Sequence, residues 1–131
     1  MIVLDTQAWI WWLHEPSHLS LRARRAIQDA ERTDGMCVSV ISVWEIAVKH
    51  ALGKLILPMD MDAWFQLASG YPNLAIEPVC ARDAMASASL PGEFHRDPAD
   101  RIIVAMSRRI GAPLVTSDAL IRAYPHVVTI W

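Results

Sequence analysis

Five carboxylates stand at places where a hydrolytic site could draw on them. Asp5 closes the apolar run "IVLD", Glu45 lies in "SVWEIAVKH", Asp97 and Asp100 flank Pro98 in "HRDPADR", and Asp118 follows "PLVTS". Carboxylates brought together repel one another, and their pKa values rise unless a cation neutralises them. An oxygen-only cluster suits Mg²⁺ or Mn²⁺. Two such ions about 4 Å apart can hold an in-line attack of water on a phosphodiester, one activating the water and the other steadying the leaving oxygen. No His-x-x-x-His or C-x-x-C spacing points to zinc, and no G-x-x-x-x-G-K or G-x-G-x-x-G points to a nucleotide cofactor.

Each acid also has an ordinary use. Asp5 can cap a helix that starts at Thr6, and Ser42-Val43-Trp44-Glu45 has the S-x-x-E spacing of a capping box. Asp97 before Pro98 is a good N-cap with proline at the first helical position, and Asp100 then falls in the favoured first turn. Ser117 or Asp118 can cap the segment that follows. Two features favour chemistry. Asp5 emerges from a hydrophobic strand, where a carboxylate is costly to desolvate. In the stretch 98–110, Ile102, Ile103, Met106 and Ile110 share one helical face. Asp100 borders that face and is aimed at the sheet edge, whereas Arg101 and Arg108 point away. Asp97 sits at the helix mouth, reads first as a cap, and at most assists a metal.

The elements that must position these acids alternate. Strands are expected at 2–5, 36–40, 73–79, 113–118 and 127–131, with a short extended piece at 54–58. Helices are expected at 6–14, at 21–32 behind Ser20, at 43–52 behind Ser42, and at 61–69, 81–89, 98–110 and 119–124. This alternation predicts an α/β domain with a parallel sheet covered on both faces. Such sheets place sites beyond the carboxyl ends of the strands, at a switch in strand order.

The totals set further bounds. A chain of 131 residues, 53% apolar, fits one domain spanning 1–131. Six tryptophans serve a large core or an apolar subunit contact. A net charge of −2 excludes a globally basic nucleic-acid binder, so any RNA contact must come from local arginines. No signal peptide or membrane span is read. Cys37 and Cys80 read as free thiols, in keeping with a reducing cytoplasm.

Taken together and in order, "VLDTQAWIWWL", "VSVISVWEIAVKHALGKL", "HRDPADRIIVAMS" and "PLVTSD" resemble the PIN domain, and more narrowly the VapC-type toxins of bacterial toxin–antitoxin pairs. The resemblance covers nearly the whole chain. It implies a three-layer α/β/α fold around a parallel sheet and a Mg²⁺- or Mn²⁺-dependent endoribonuclease. It assigns the four acidic positions to Asp5, Glu45, Asp100 and Asp118. Asp97 belongs to the "HRDPxDR" form of the motif, as ligand or cap. Thr116 or Ser117 is implied as a polar neighbour. The resemblance also implies a homodimer and a cognate antitoxin whose tail blocks the site.

Phosphate contact needs cations near the acids. Arg22, Arg24 and Arg25 form one cluster, Lys49, Lys54, Arg101, Arg108 and Arg109 are other candidates, and Arg96 is the best placed by position. Trp9, Trp12 and Leu13 share a helical face, which favours packing over base stacking. His95 lies beside the acids, either organising the loop or simply exposed. Two other classes compete with the nuclease. A phospho-receiver domain also carries acids at a sheet edge, but its pattern calls for paired acids after the first strand and a late lysine, and no lysine follows Lys54. A non-catalytic α/β binding module would use the acids only as caps.

Overall fold

Five short strands pair side by side in one parallel sheet, in the order β3-β2-β1-β4-β5. In the computed structural model, which describes residues 1–131, they are β1 (Ile2–Leu4), β2 (Met36–Ser39), β3 (Leu74–Glu77), β4 (Leu114–Val115) and β5 (Thr129–Ile130). The helices are α1 (Thr6–His14), α2 (Leu21–Arg32), α3 (Val40–Ala51), α4 (Met61–Ser69), α5 (Ala81–Ala88), α6 (Pro98–Ile110) and α7 (Ala119–Ala123). The chain grows from β1 through β2 to β3 on one side, then returns to add β4 and β5 on the other. Strand order therefore reverses between β1 and β4, and a crevice opens beyond their carboxyl ends.

Period-two alternation builds a core on each face of the sheet. Ile2, Leu4, Met36, Val38 and Val115 face a layer formed by α1, α2 and α4, which contributes Trp9, Ile27 and Trp64. Val3, Cys37 and Leu114 face the opposite layer, where α6 and α7 contribute Ile103, Met106 and Ile121. This is the three-layer α/β/α arrangement. The tryptophans of α1 pack as their spacing suggests. Trp9 is fully buried edge-on against Trp64, with ring centroids 5.0 Å apart. Trp11 and Trp12 lie half-buried beside Trp131 and Tyr71.

Several boundaries differ from the sequence expectation for local reasons. β2 runs into α3 without a loop, so Ser39, not Ser42, is the N-cap and accepts from the Ile41 amide at 3.2 Å. Ser42 is buried one turn in, where it accepts a hydrogen bond from the Thr6 hydroxyl at 2.8 Å. No S-x-x-E capping box forms, and Glu45 sits beyond the first turn. Residues 54–58 form no strand: Leu57 tucks into the core while Ile56 is exposed. β4 and β5 keep only two paired residues each. Cys37 is buried and Cys80 half-buried, both free, and Cys80 caps α5 by accepting from the Asp83 amide through its sulfur.

Arg101 does not point away unattached. Its Nε donates to the Ser87 carbonyl at 2.7 Å, and its Nη1 donates to the carbonyls of Phe94 and His95 at 3.0 and 3.1 Å. It ties the loop before α6 to the end of α5. Arg109 grips the buried Asp83 carboxylate through two bonds of 2.7 and 3.0 Å, locking α5 onto α6.

Candidate active site

At the β1/β4 switch point lies a cavity of about 320 Å³ with no apolar residue in its wall. Asp5, Glu45, Asp97, Asp100, Ser117 and Asp118 line it together with Thr6, Gln7 and Lys49. All five carboxylates singled out in the sequence therefore meet there, with Ser117 and, of the candidate cations, Lys49. Thr116 is buried just behind the wall, accepting the Asp118 amide at 3.0 Å through its hydroxyl. Arg96 is exposed outside the cavity wall. The Arg22–Arg25 cluster on α2 is also outside it, with Arg24 donating to the carbonyls of Pro16 and Leu19.

The choice between cap and site acid dissolves for three of these residues. Asp5 Oδ1 accepts from the Ala8 amide at 2.8 Å and caps α1. Asp97 Oδ1 accepts from the Asp100 amide at 2.9 Å and caps α6. Asp118 Oδ1 accepts from the amides of Leu120 and Ile121 at 2.9 and 3.0 Å and caps α7. In each case one oxygen holds the helix and fixes the carboxylate, and a second oxygen remains outside the cap. Three helix N-termini thus converge on one cavity, and their partial positive ends favour anions there. Asp100 makes no cap. It projects from the first turn of α6, largely shielded from solvent, as its place at the edge of the apolar face suggests.

Crowding and burial act on the protons. Burial pushes Asp5 up to about 6, opposed by the Thr116 hydroxyl and the Ala8 amide and reinforced by the charges of Asp118 and Glu45. Burial pushes Asp100 up to about 7, with the charges of Asp97, Asp118, Glu45 and Asp5 adding to it. Glu45 has a partial neutraliser, the Lys49 ammonium one turn along α3 at 3.6 Å. Its i,i+4 spacing made that pair readable in the sequence. Gln7 and Thr6 carried no signal beyond their closeness to Asp5.

His95 is the site neighbour whose role the sequence left open. Its Nε2 lies 3.2 Å from Asp100 Oδ2 yet is not aligned as a hydrogen bond, and it is buried without any hydrogen-bond partner. One ligand atom each from His95, Asp100 and Asp118 lie within 4.8 Å of one another. Uncapped carboxylate oxygens, raised pKa values and an orphaned imidazole nitrogen are what a small divalent cation would satisfy. The carboxylates of the cavity fit such an ion, and the imidazole nitrogen lies beside them.

This fold and this site define a class. The chain belongs to the PIN-domain family, whose family model matches residues 2–127. Within it the likeness is to the VapC type: the chain is 36% identical over 133 residues to Ribonuclease VapC22 of Mycobacterium tuberculosis, covering 99% of this chain and 98% of the relative. Among solved structures, VapBC2 from Rickettsia felis, bound to a DNA fragment from its promoter, shares the fold with a TM-score of 0.71 at 14% identity, over 98% of this chain and 97% of that one. FitAcB from Neisseria gonorrhoeae does so with a TM-score of 0.69 at 19% identity, over 98% and 96% of the two chains. The phospho-receiver alternative is set aside by strand order as well, since that fold runs 2-1-3-4-5. No helix of the chain is long and apolar enough to cross a membrane.

Proposed function

We propose that this protein is a Mg²⁺- or Mn²⁺-dependent endoribonuclease and the toxin of a toxin–antitoxin pair. The observation that carries the proposal is the convergence of Asp5, Glu45, Asp100 and Asp118 on one wholly polar cavity at the switch point, with two of those acids holding protons near neutrality. The name of the VapC22 relative supports RNA as substrate. A bound divalent ion would supply a water acidic enough to attack the phosphodiester at neutral pH. Asp5, Glu45, Asp100 and Asp118 would hold it, with Asp97 as a cap that contributes charge.

The chain's own residues divide the remaining work. The caps on α1 and α7 fix Asp5 and Asp118 before any ion arrives, so little ordering remains at binding. Thr116 orients both Asp5 and the turn carrying Asp118. Ser117 and Lys49 stand at the cavity wall, where a hydroxyl and an ammonium can receive phosphate oxygens. Arg96, exposed next to Asp97, would meet the flanking backbone of the RNA. A second copy of the chain and an antitoxin are its proposed protein partners. The toxin–antitoxin complexes with the same fold, including one from Klebsiella pneumoniae, support the latter. The cytoplasm is the proposed compartment.

The test is cleavage of a broad RNA panel by antitoxin-free protein with Mg²⁺ or Mn²⁺, with and without chelator. Cleavage that stops with chelator and is lost in Asp100→Asn supports the proposal. A folded protein that cuts no RNA and binds neither ion refutes it and leaves a binding-only module.

A further inference from the structure

His95 is held in place more firmly than a loop residue needs. The backbone carbonyls of Phe94 and His95 are both fixed by Arg101 Nη1, while Arg101 Nε is anchored on Ser87. The Phe94 ring packs on the imidazole at 4.3 Å between centroids, and Phe94 in turn packs on the buried Tyr124 at 4.6 Å. The outcome is an imidazole only 22% exposed whose Nε2 lies 3.2 Å from Asp100 Oδ2 without a hydrogen bond, in a group with Asp118 whose ligand atoms are within 4.8 Å of one another. A buried ring nitrogen without a partner is costly. A histidine kept merely to neutralise Asp100 would be aligned to donate to it, and this one is not. Arg101 and Asp100 are consecutive residues of α6, so one helical turn places both the carboxylate and, through its neighbour, the ring.

We propose that His95 is a metal ligand through Nε2, completing a His95–Asp100–Asp118 set and turning the centre toward Mn²⁺ in preference to Mg²⁺. The proposal rests on the reading of the cavity as a metal centre. Its chemistry follows from donor type. Mg²⁺ takes oxygen donors and retains water, so a nitrogen adds little to its binding. Imidazole is a ligand for transition ions, and a nitrogen in place of water strengthens their hold. Arg101 is then a positioning residue, acting on the ion only through the loop that carries the ring.

The experiment loads the full-length wild-type chain with one equivalent of Mn²⁺ and reads imidazole ¹⁴N couplings by pulsed electron paramagnetic resonance. We expect a histidine nitrogen coupling that disappears in His95→Gln. Calorimetric titration of the same variant should show Mn²⁺ affinity lowered at least about tenfold, the lower end of what even outer-shell partners contribute, while Mg²⁺ affinity changes less. A measurement independent of any variant is the broadening of histidine ring resonances by substoichiometric Mn²⁺ in the wild-type chain. One of the five histidines should broaden ahead of the rest. Tight Mn²⁺ binding with no nitrogen coupling, or equal broadening of all five rings, overturns the role of His95 and leaves the metal centre standing. Absence of any Mn²⁺ binding overturns both.

Discussion

Replacing Asp5 by Asn should make the metal-free protein less sensitive to alkaline pH even as it destroys the site. Asn keeps an oxygen for the Ala8 amide, so the α1 cap survives. The charge does not. Asp5 is raised from 3.8 to about 6 by burial, which corresponds to ~3 kcal/mol of proton-linked stability. The folded state binds the proton more tightly than the unfolded chain. That stability is therefore fully present below pH 3.8 and is lost as pH rises through about 6. Between pH 5 and pH 8 the loss from Asp5 alone is on the order of 1 to 2 kcal/mol. The assay is urea unfolding of wild type and Asp5→Asn at both pH values with chelator present. Any fixed cost of burying an amide appears equally at both, so the informative quantity is the change in their difference. Asn should gain on wild type by on the order of 1 to 2 kcal/mol on going to pH 8. Divalent ion at a hundred times its Kd should then return about 2.7 kcal/mol to the wild type and far less to the variant. A difference that stays constant between pH 5 and pH 8 would refute the claim that Asp5 is a strained, buried carboxylate.

Divalent-ion affinity should rise through pH 6–7 as the protons on Asp5 and Asp100 are displaced, and calorimetry in buffers of different ionisation enthalpy should record proton release at pH 6. Asp100→Asn should abolish cleavage, whereas Asp97→Asn, which retains the α6 cap, should reduce it by a smaller factor; equal losses in two folded variants would show that Asp97 is a full ligand. Arg101→Leu removes three hydrogen bonds from a charged donor and should cost about 2–3 kcal/mol in urea unfolding, with Mn²⁺ affinity falling alongside.

How much of this was legible from residues alone depended on how local each signal was. Element order could be read because strand alternation and cap residues are encoded within a few positions. Ser20 and Asp97 show this, each accepting an amide three residues on. Ser42 misled because its spacing to Glu45 is right, but β2 supplies its own capping serine at its last residue. Asp5 and Asp118 stood out because each follows a strand, and helical phase separated Asp100 from Asp97. The role of Arg101 was not legible. Its partners are main-chain carbonyls at Ser87, Phe94 and His95, which have no side-chain signature. The state of His95 depended on the same invisible bonds. Arg96 was favoured by adjacency in sequence, and it lies exposed outside the cavity wall.

The doubling of cap and site acid changes how inactive forms of this protein should be made. At Asp5, Asp97 and Asp118 the same carboxylate closes a helix and faces the cavity. An alanine there removes a charge and, at about 1 kcal/mol, a helix terminus. Loss of activity after alanine scanning would thus mix chemistry with fraying, and would mix them differently at each position. Glutamate is no safer, because its extra methylene cannot keep the short reach to the amide three residues ahead. Asparagine, the nearest isostere with a capping oxygen and no charge, separates the two. The same constraint acts on natural drift: at these three positions, a substitution to any residue that cannot cap removes the charge and loosens the helix that begins there in one step.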